Sequence, residues 1–412
     1  MLNSSLFLGN CRANFFGTKI VFCNTKDKIS NMINRATYQA AQIVAPTIET
    51  HFATHLAEAS AKGELDLAPQ PPARVVEAIL DAAFWSSLRK EEGHSPKISI
   101  AFLPPEQATK PLLFKQNLPL NPTVLTKLAP GVERGGIHIG VWHDGYDLYF
   151  WGTTLNIPNY CFVVDVSEPA LLVVKHRRIY GFGKFTNVAV LKGDQIKIVN
   201  ENAPTTGECP SILLSLLDLT ADTNWSDAAN ILIQLSVSMR AHGRGGAVLV
   251  VPQETADWKR SVIHPISYAL TPPFKGLADL VRKDRGEAAS EIFWQTALKR
   301  EIDHLAGLTA VDGATIITDE YELLAFGAKT GRANSSEHIQ QVSYTEPINN
   351  ADAVVVHPAK LGGTRHLSAA QFIFDQRDAL ALVASQDGHF TVFSWSKSLN
   401  MVQAQRIDTL LL

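Results

Sequence analysis

The stretch from Val311 to Trp395 limits the possible folds of this chain more than any other part of it. An Asp-Gly-Ala tripeptide at 312–314 precedes the apolar run 315–317, whose β-branched residues indicate a buried strand. Gly-Gly-Thr-Arg-His at 362–366 opens a helix-like segment over 367–377. An apolar run, an Asp-Gly turn and an alternating run complete the stretch. A helix placed between strands in this order predicts an α/β sheet covered by helices.

Two parts of this stretch suit a phosphate-binding site. Thr364, Arg365 and His366 stand at the predicted helix N-terminus, where backbone N–H groups bind anions without help from a side chain. Arg365 adds a guanidinium that can hold a phosphate with two hydrogen bonds. The carboxylate of Asp312, at the head of a strand, is a suitable ligand for a divalent cation on the same phosphates.

These motifs, in this order, resemble the diadenylate cyclase domain, a family that joins two ATP molecules into cyclic di-AMP. The resemblance rests on Asp-Gly-Ala, on Gly-Thr-Arg-His at a helix start, and on the strand Asp-Ala-Leu-Ala-Leu-Val-Ala-Ser at 378–385. The run 245–251, Gly-Gly-Ala-Val-Leu-Val-Val, is similar to the first strand of the family. The similarity covers roughly residues 228–396 and implies an α/β domain with a mixed sheet covered by helices.

The resemblance also implies roles for individual residues. It gives Asp312 a metal-binding role and the activation of the 3′-hydroxyl, and it implies Mg²⁺ or Mn²⁺ as cofactor. The residues matched to catalysis are Asp312, Arg365 and His366. The residues matched to ATP binding are Gly313, Ala314, Gly363, Thr364, Arg365, His366 and Ser368. Because each chain has one such site, the family's reaction implies a homodimer or higher homo-oligomer with catalytic domains face to face.

The sequence departs from the family pattern in three places. Leu367 stands where the family usually has a second Arg, so one cation near the triphosphate is missing. Arg365 comes 53 positions after Asp312, which predicts an inserted loop within 329–358. Asp387 is either a second metal ligand, in place of a family Glu, or only part of a hairpin turn with the following glycine.

The N-terminal half has a different pattern of predicted secondary structure, with two helices followed by short strands. Apolar residues at helical spacing predict a helix over 33–62 and a second over 74–90. The face of the first helix is predicted to comprise Ala40, Ile43, Val44, Ile48, Phe52 and Leu56. Short strand-like runs between turn residues follow from Ile98 to about Asn200, which predicts an α+β domain. This half resembles the DACNV-like sensor domains that accompany some diadenylate cyclases.

No site motif stands out in this half. His138, His143 and Asp144 are a weak metal candidate, because no further ligand precedes them, and surface or turn positions are favoured. The basic run 175–178 is favoured as a solvated turn over an anion-binding site. The Gly-rich run 181–186 lacks the spacing of a P-loop.

The predicted domain organisation has four parts. Residues 1–31 form a disordered extension, with Met32 as the biological start; 32–205 form the α+β domain; 206–226 form a linker; and 227–412 form the catalytic domain. A hydrophobic content of 46% and a charged content of 19% supply enough apolar residues for two such cores.

Charge and hydropathy exclude two classes of partner. A formal net charge of -3 gives no electrostatic reason to expect nucleic-acid binding. No apolar run approaches the roughly 18 residues needed to span a bilayer. The four cysteines match no metal or disulfide spacing and are typical of thiols in a reducing cytoplasm, where we expect the protein.

Two functions remain open from the sequence. The first is a diadenylate cyclase with an N-terminal regulatory domain, which uses ATP as substrate. The second, suggested by Leu367, is a weakly active or inactive protein that binds ATP or a cyclic dinucleotide.

Overall fold

A computed structural model describes residues 36–177, 185–201, 226–284, 291–334 and 336–412. In these ranges the chain forms seven α-helices and two mixed sheets, so the predicted mixture of helices and strands is present in both halves. The predicted extension 1–31 lies outside the described residues, as does nearly all of the predicted linker 206–226.

The N-terminal sheet has eight strands in the order β2-β4-β3-β1-β5-β6-β7-β8. Strands β1 and β3 are parallel, and every other neighbouring pair is antiparallel. The strands are β1 (Ile98–Phe102), β2 (Leu112–Pro119), β3 (His138–His143), β4 (Leu148–Thr154), β5 (Phe162–Glu168), β6 (Leu171–Arg177), β7 (Phe185–Lys192) and β8 (Gln195–Ile198).

Three helices contribute to the core on one face of this sheet: α1 (Gln39–Ala61), α2 (Ala73–Ser87) and α3 (Pro122–Val132). The predicted face of α1 is largely buried, because Val44, Ile48 and Phe52 pack into that core. Ile43 was placed on that face wrongly, since it is 61% exposed. Its position one residue before Val44 turns it away from the sheet.

Three elements of this N-terminal half were not predicted from the sequence. Strand β2 is mostly exposed and lies at the sheet edge, so it lacks the apolar signal of a buried strand. Helix α3 does carry a start signal: the side chain of Asn121 accepts a hydrogen bond from the Val124 N–H at 2.9 Å, and Pro122 is the first helical residue. Strand β8 is only four residues long.

The C-terminal sheet has nine strands in the order β10-β12-β11-β9-β15-β16-β17-β13-β14. The pairs β9/β11 and β13/β17 are parallel, and the other neighbours are antiparallel. The strands are β9 (Gly246–Val251), β10 (Tyr268–Phe274), β11 (Ala314–Thr318), β12 (Leu323–Ala328), β13 (Val342–Thr345), β14 (Val354–Val356), β15 (Leu380–Ala384), β16 (Phe390–Ser396) and β17 (Met401–Arg406).

Helices cover both faces of this sheet. Val248 and Val250 of β9 belong to a core with helices α4 (Ser226–Ala241), α5 (Gly276–Asp284) and α6 (Glu291–Leu308). Leu249, with the opposite orientation, belongs to a core with helix α7 (Thr364–Asp375). Burial on both faces explains why the central strands read as continuous apolar runs.

The predicted insertion, 329–358, contains β13 and β14 at one edge of the sheet. It also touches the N-terminal half. The Lys197 ammonium binds the Glu346 carboxylate at 2.5 Å, and Val199 forms a β-bridge with Ile348. Within the described ranges, no helix is both long and apolar enough to cross a membrane.

Candidate active site

One cavity of about 640 Å³ brings together the site residues predicted from the sequence. It opens where β9, β11 and β15 meet the start of α7, and Ile263 and residues 328–330 also line it, so six separate segments of the chain contribute to it. The predicted residues that line it are Asp312, Gly313, Ala314, Gly363, Thr364, Arg365, His366, Ser368 and Asp387. Their placement together agrees with a single site, while their chemical roles stay predictions.

The turn before β11 has a conformation that requires glycine. Gly313 has a φ of +118°, and a Cβ there would lie 2.5 Å from the carbonyl carbon of Gly327 on β12. Because the two backbones approach so closely, the preceding Asp312 projects from the end of the hairpin and its side chain is 87% exposed. Glycine is therefore required at this strand-entry turn, while the metal-binding role of Asp312 stays a prediction.

Lys329 is a site residue that the sequence interpretation missed. It follows the last residue of β12, directly opposite the start of β11, and its ammonium forms an ion pair with the Asp312 carboxylate. The hydrogen bond and the charge of this ammonium hold the pKa of the Asp312 carboxyl below its usual range. Only the β11–β12 register reveals the pair, because the two residues are 17 positions apart.

The start of α7 offers backbone donors to the cavity. Gly363 is the N-cap and has no side chain to accept from the first helical N–H groups. Thr364, the first helical residue, is exposed and lines the cavity. A helix N-terminus without a side-chain cap can bind an anion.

Arg365 has an unsatisfied donor at the same place. Its Nε is buried and has no hydrogen-bond partner, which costs free energy unless a ligand accepts from it. Its guanidinium passes Gly245, where an added Cβ would lie 3.0 Å from Nη1. An orphaned guanidinium donor beside a free helix N-terminus fits a phosphate group.

His366 differs from its neighbours because it is buried. Its Nε2 lies 3.4 Å from the Thr391 hydroxyl, and its ring packs so closely on Gly362 that a Cβ there would lie 2.5 Å from Nδ1. Burial lowers the pKa of His366 to about 4, so the ring is neutral near pH 7. The predicted phosphate contact would therefore come from a neutral imidazole.

Asp387 and Leu367, where the sequence departs from the family pattern, differ in their relation to the cavity. Asp387 lies in the turn between β15 and β16, where the Ser385 N–H donates to the His389 carbonyl at 2.8 Å. Its exposed side chain also lines the cavity, so the turn and the ligand interpretations of Asp387 are compatible. Leu367 is exposed on α7 and does not line the cavity.

The cavity contains oxygen ligands of the kind that the implied metal prefers. Two carboxylates, Asp312 and Asp387, line it, and Mg²⁺ commonly binds through one or two carboxylates together with substrate phosphates. The donor set therefore fits Mg²⁺ or Mn²⁺. Among the described residues, one group of three potential metal ligands was found, and it lies elsewhere in the fold.

The weak N-terminal candidate is not confined to the favoured surface or turn positions: His138 is buried, and the Nδ1 of His143 is buried with no hydrogen-bond partner. The Nδ1 of His138 lies 2.7 Å from the Ser99 hydroxyl inside the sheet. The Asp144 carboxylate accepts from the N–H groups of Tyr146 and Asp147 at 2.9 Å, as in a local turn.

The N-terminal half was compared with known families. Residues 65–155 match the probable sensor domain DACNV. This domain occurs in proteins associated with diadenylate cyclases. The match covers α2, α3 and strands β1–β4, so the first part of the eight-stranded sheet belongs to it. No curated protein and no solved structure matches the chain.

Proposed function

We propose that this protein is a diadenylate cyclase, which condenses two ATP molecules into cyclic di-AMP and two pyrophosphates. The observation that carries the proposal is the meeting of the Asp312 turn, the first residues of β9 at Ala247, and the α7 N-terminus at one cavity. The sensor domain in the N-terminal half supports it, because that domain accompanies diadenylate cyclases.

The chemistry of the cavity residues suggests a different role for each of them in this reaction. The α7 N-terminus and the Arg365 guanidinium would bind the phosphates and stabilise charge on the transferred phosphoryl group. Asp312 would orient the 3′-hydroxyl and accept its proton. Asp312 and Asp387 would hold a divalent cation, which would neutralise phosphate charge when bound.

The bond changes balance within one pair of ATP molecules. The 3′-oxygen of one ATP attacks the α-phosphorus of the other, the bond from that phosphorus to the bridging oxygen breaks, and pyrophosphate leaves. The 3′-oxygen of the second ATP likewise attacks the α-phosphorus of the first, a second pyrophosphate leaves, and the ring closes. Because the sequence contains one Asp-Gly-Ala and one Thr-Arg-His, two subunits must face each other.

Product formation from ATP tests the proposal directly. The purified full-length protein is incubated with ATP and Mg²⁺ or Mn²⁺, and cyclic di-AMP is measured by chromatography and mass spectrometry. Asp312→Asn should abolish product, because the change is nearly isosteric and removes only the charge. Asp352→Asn, an exposed position in the insertion, is the matched control and should keep full activity.

A second function is favoured by one observation. The Asp312 carboxylate, predicted to bind the cation, already has the Lys329 ammonium as its partner. A protein that keeps this ion pair would bind ATP or a cyclic dinucleotide without converting it. Tight ATP binding with no product under either metal would support this binding function over the cyclase.

A further inference from the structure

A second group of potential metal ligands lies in the N-terminal half, outside the matched sensor residues. His51 and His55 are one turn apart on α1 and therefore share a face of that helix. Glu201 follows β8 and reaches both: its Oε1 lies 3.6 Å from His51 Nδ1, and its Oε2 lies 2.8 Å from His55 Nε2.

These three side chains are withdrawn from solvent. The exposed fractions of the His51, His55 and Glu201 side chains are 15%, 23% and 25%. These values are low for polar side chains, which are mostly exposed in proteins. The His51 Nε2 is buried and has no hydrogen-bond partner. A cavity of about 460 Å³ adjoins the group and is lined by His51 and Glu201. This nitrogen is not the one that faces Glu201, so it adds an unsatisfied polar atom beside the group, while Nδ1 is the candidate ligand atom.

We propose that His51, His55 and Glu201 bind a divalent transition-metal ion of the zinc class. One ligand atom from each residue lies within 4.8 Å of the other two. Ligand atoms around tetrahedral zinc stand about 3.3 Å apart, given bonds of about 2.0–2.2 Å. The two distances to Glu201 already lie close to that value, so small side-chain movements complete the site.

The ligand chemistry distinguishes this ion from the cation of the catalytic cavity. Two imidazoles and one carboxylate favour zinc and its neighbours, whereas Mg²⁺ prefers oxygen ligands alone. Three protein ligands leave a fourth position for water or for a small anionic molecule. The adjoining cavity gives access to that position.

Neighbouring aromatic rings hold the ligands in place. The Tyr160 ring stacks on His55 at 5.7 Å between centroids, and the buried His176 ring lies 5.5 Å from that of His51. Packing against these rings limits the rotamers that the two imidazoles can adopt.

The site lies at the junction of the two halves. Val199, two residues before Glu201, forms the β-bridge with Ile348, and the Asn200 N–H donates to the Pro347 carbonyl at 3.0 Å. A bound ion would therefore tie α1 to the segment that contacts the C-terminal insertion. This function is separate from cyclase activity and does not depend on it.

Metal titration of the full-length protein tests the proposal. The protein is treated with a chelator, dialysed, and titrated with Co²⁺ and then Zn²⁺ in the absence of nucleotide. We expect one equivalent of Co²⁺ to give the visible absorption of a tetrahedral site and to be displaced by Zn²⁺. Glu201→Gln and His51→Gln should each weaken binding roughly tenfold or more, because each removes a direct ligand.

Two control variants and a folding measurement accompany the ligand variants. His94→Gln changes an exposed histidine of the same half and should bind Co²⁺ like the wild type. Asp312→Asn should also leave this binding unchanged, since it alters only the catalytic cavity. His55→Gln is a further ligand variant, and circular dichroism verifies that each variant is folded. The proposal is overturned if the wild type takes up neither ion at micromolar concentration, or if folded ligand variants bind as tightly as His94→Gln.

Discussion

Lys329 changes how the Asp312 carboxylate must be understood. In the structure the two side chains form an ion pair at the open end of the β11–β12 hairpin, and both line the cavity. An ammonium on a flexible chain can leave the carboxylate and bind a triphosphate when one enters. Lys329 would then supply a cation to the site, where Leu367 supplies none.

Lys329→Met should weaken ATP binding by about tenfold or more, since a hydrogen bond to a charged group is worth roughly 1.5–3 kcal/mol. It should also raise the pKa of Asp312, because the hydrogen bond and charge that lower it are removed. Calorimetric titration with a non-hydrolysable ATP analogue measures the first effect. Lys360→Met, an exposed lysine near α7 but outside the cavity lining, is the control. Equal affinity of the two variants would remove Lys329 from the site.

His366 makes stability depend on pH. Its pKa is about 4 in the folded protein because of burial and because of the nearby charges of His389, Arg406 and Arg365, against about 6.5 when unfolded. Between these values the unfolded chain binds more protons, so this contribution to stability is intact above pH 6.5 and is lost as the pH falls toward 4.

The corresponding measurement compares wild type with His366→Gln in urea unfolding at several pH values. The free energy of unfolding of the wild type should fall more steeply below pH 6.5, by up to about 1.4 kcal/mol for each pH unit. Identical slopes for the two proteins would show that His366 titrates alike in both states.

The glycine before β9 determines how closely the Arg365 guanidinium can approach this strand. Gly245 has a φ of +69°, and its missing Cβ leaves room for Arg365 Nη1 and the Ala384 carbonyl, which would lie 3.0 and 3.1 Å from it. Gly243, at the end of the preceding helix, has a similar φ of +63° but has open space around it. A substitution at either glycine strains the backbone, but only one at Gly245 also crowds the Arg365 guanidinium.

Gly245→Ala and Gly243→Ala should both destabilise the fold by about 1–2 kcal/mol, since both place a Cβ in the left-handed region. Only Gly245→Ala should also weaken binding of the ATP analogue, because it displaces Arg365. Thermal unfolding and calorimetric titration of both variants provide the comparison. If the two variants bind the analogue equally well, Arg365 does not depend on the space at Gly245.

Several of the C-terminal elements could be predicted, because buried strands and amphipathic helices leave a periodic signal. The expected strand at 247–251 and the helix opening at 362–366 are close to the observed β9 and α7. Edge elements such as β2 and the inserted β13 and β14 could not, since exposed or very short strands carry little apolar patterning.

The site was predictable where the motif is local and not where it depends on strand register. Thr364 and Arg365 follow from the helix start alone. Lys329 reaches the cavity only because β12 pairs with β11, and Gly245 lies against Arg365 only because β9 pairs with β15. The ligand group of His51, His55 and Glu201 was missed for the same reason, because Glu201 is about 150 positions from its partners.

The two halves of the molecule meet at more than one place. Besides the contacts at Glu346 and Ile348, the Asn187 amide donates to the Thr409 and Leu412 carbonyls at 3.0 and 3.2 Å. A cavity of about 220 Å³ between the halves is lined by Lys192 of β7 and by Asp387 of the turn between β15 and β16. A change in the sensor half therefore has a physical route to the turn that carries a predicted cation ligand.

The assembly of two chains is the last consequence of the proposed reaction. A single cavity can hold one triphosphate and present one 3′-hydroxyl, so a lone subunit cannot close a symmetric ring. Specific activity should therefore rise with enzyme concentration in the dilute range and level off once dimers predominate. Measurements of initial rate against concentration, paired with analytical ultracentrifugation, test this directly.

Mixing experiments make the same prediction sharper. An excess of Asp312→Asn chains should lower the activity of a fixed amount of wild type, because each mixed pair has only one complete site and cannot form both bonds. The same excess of an unrelated protein should have no such effect. Activity that is unchanged by the Asp312→Asn chains, in a preparation where ultracentrifugation shows only monomers, would rule out the face-to-face mechanism.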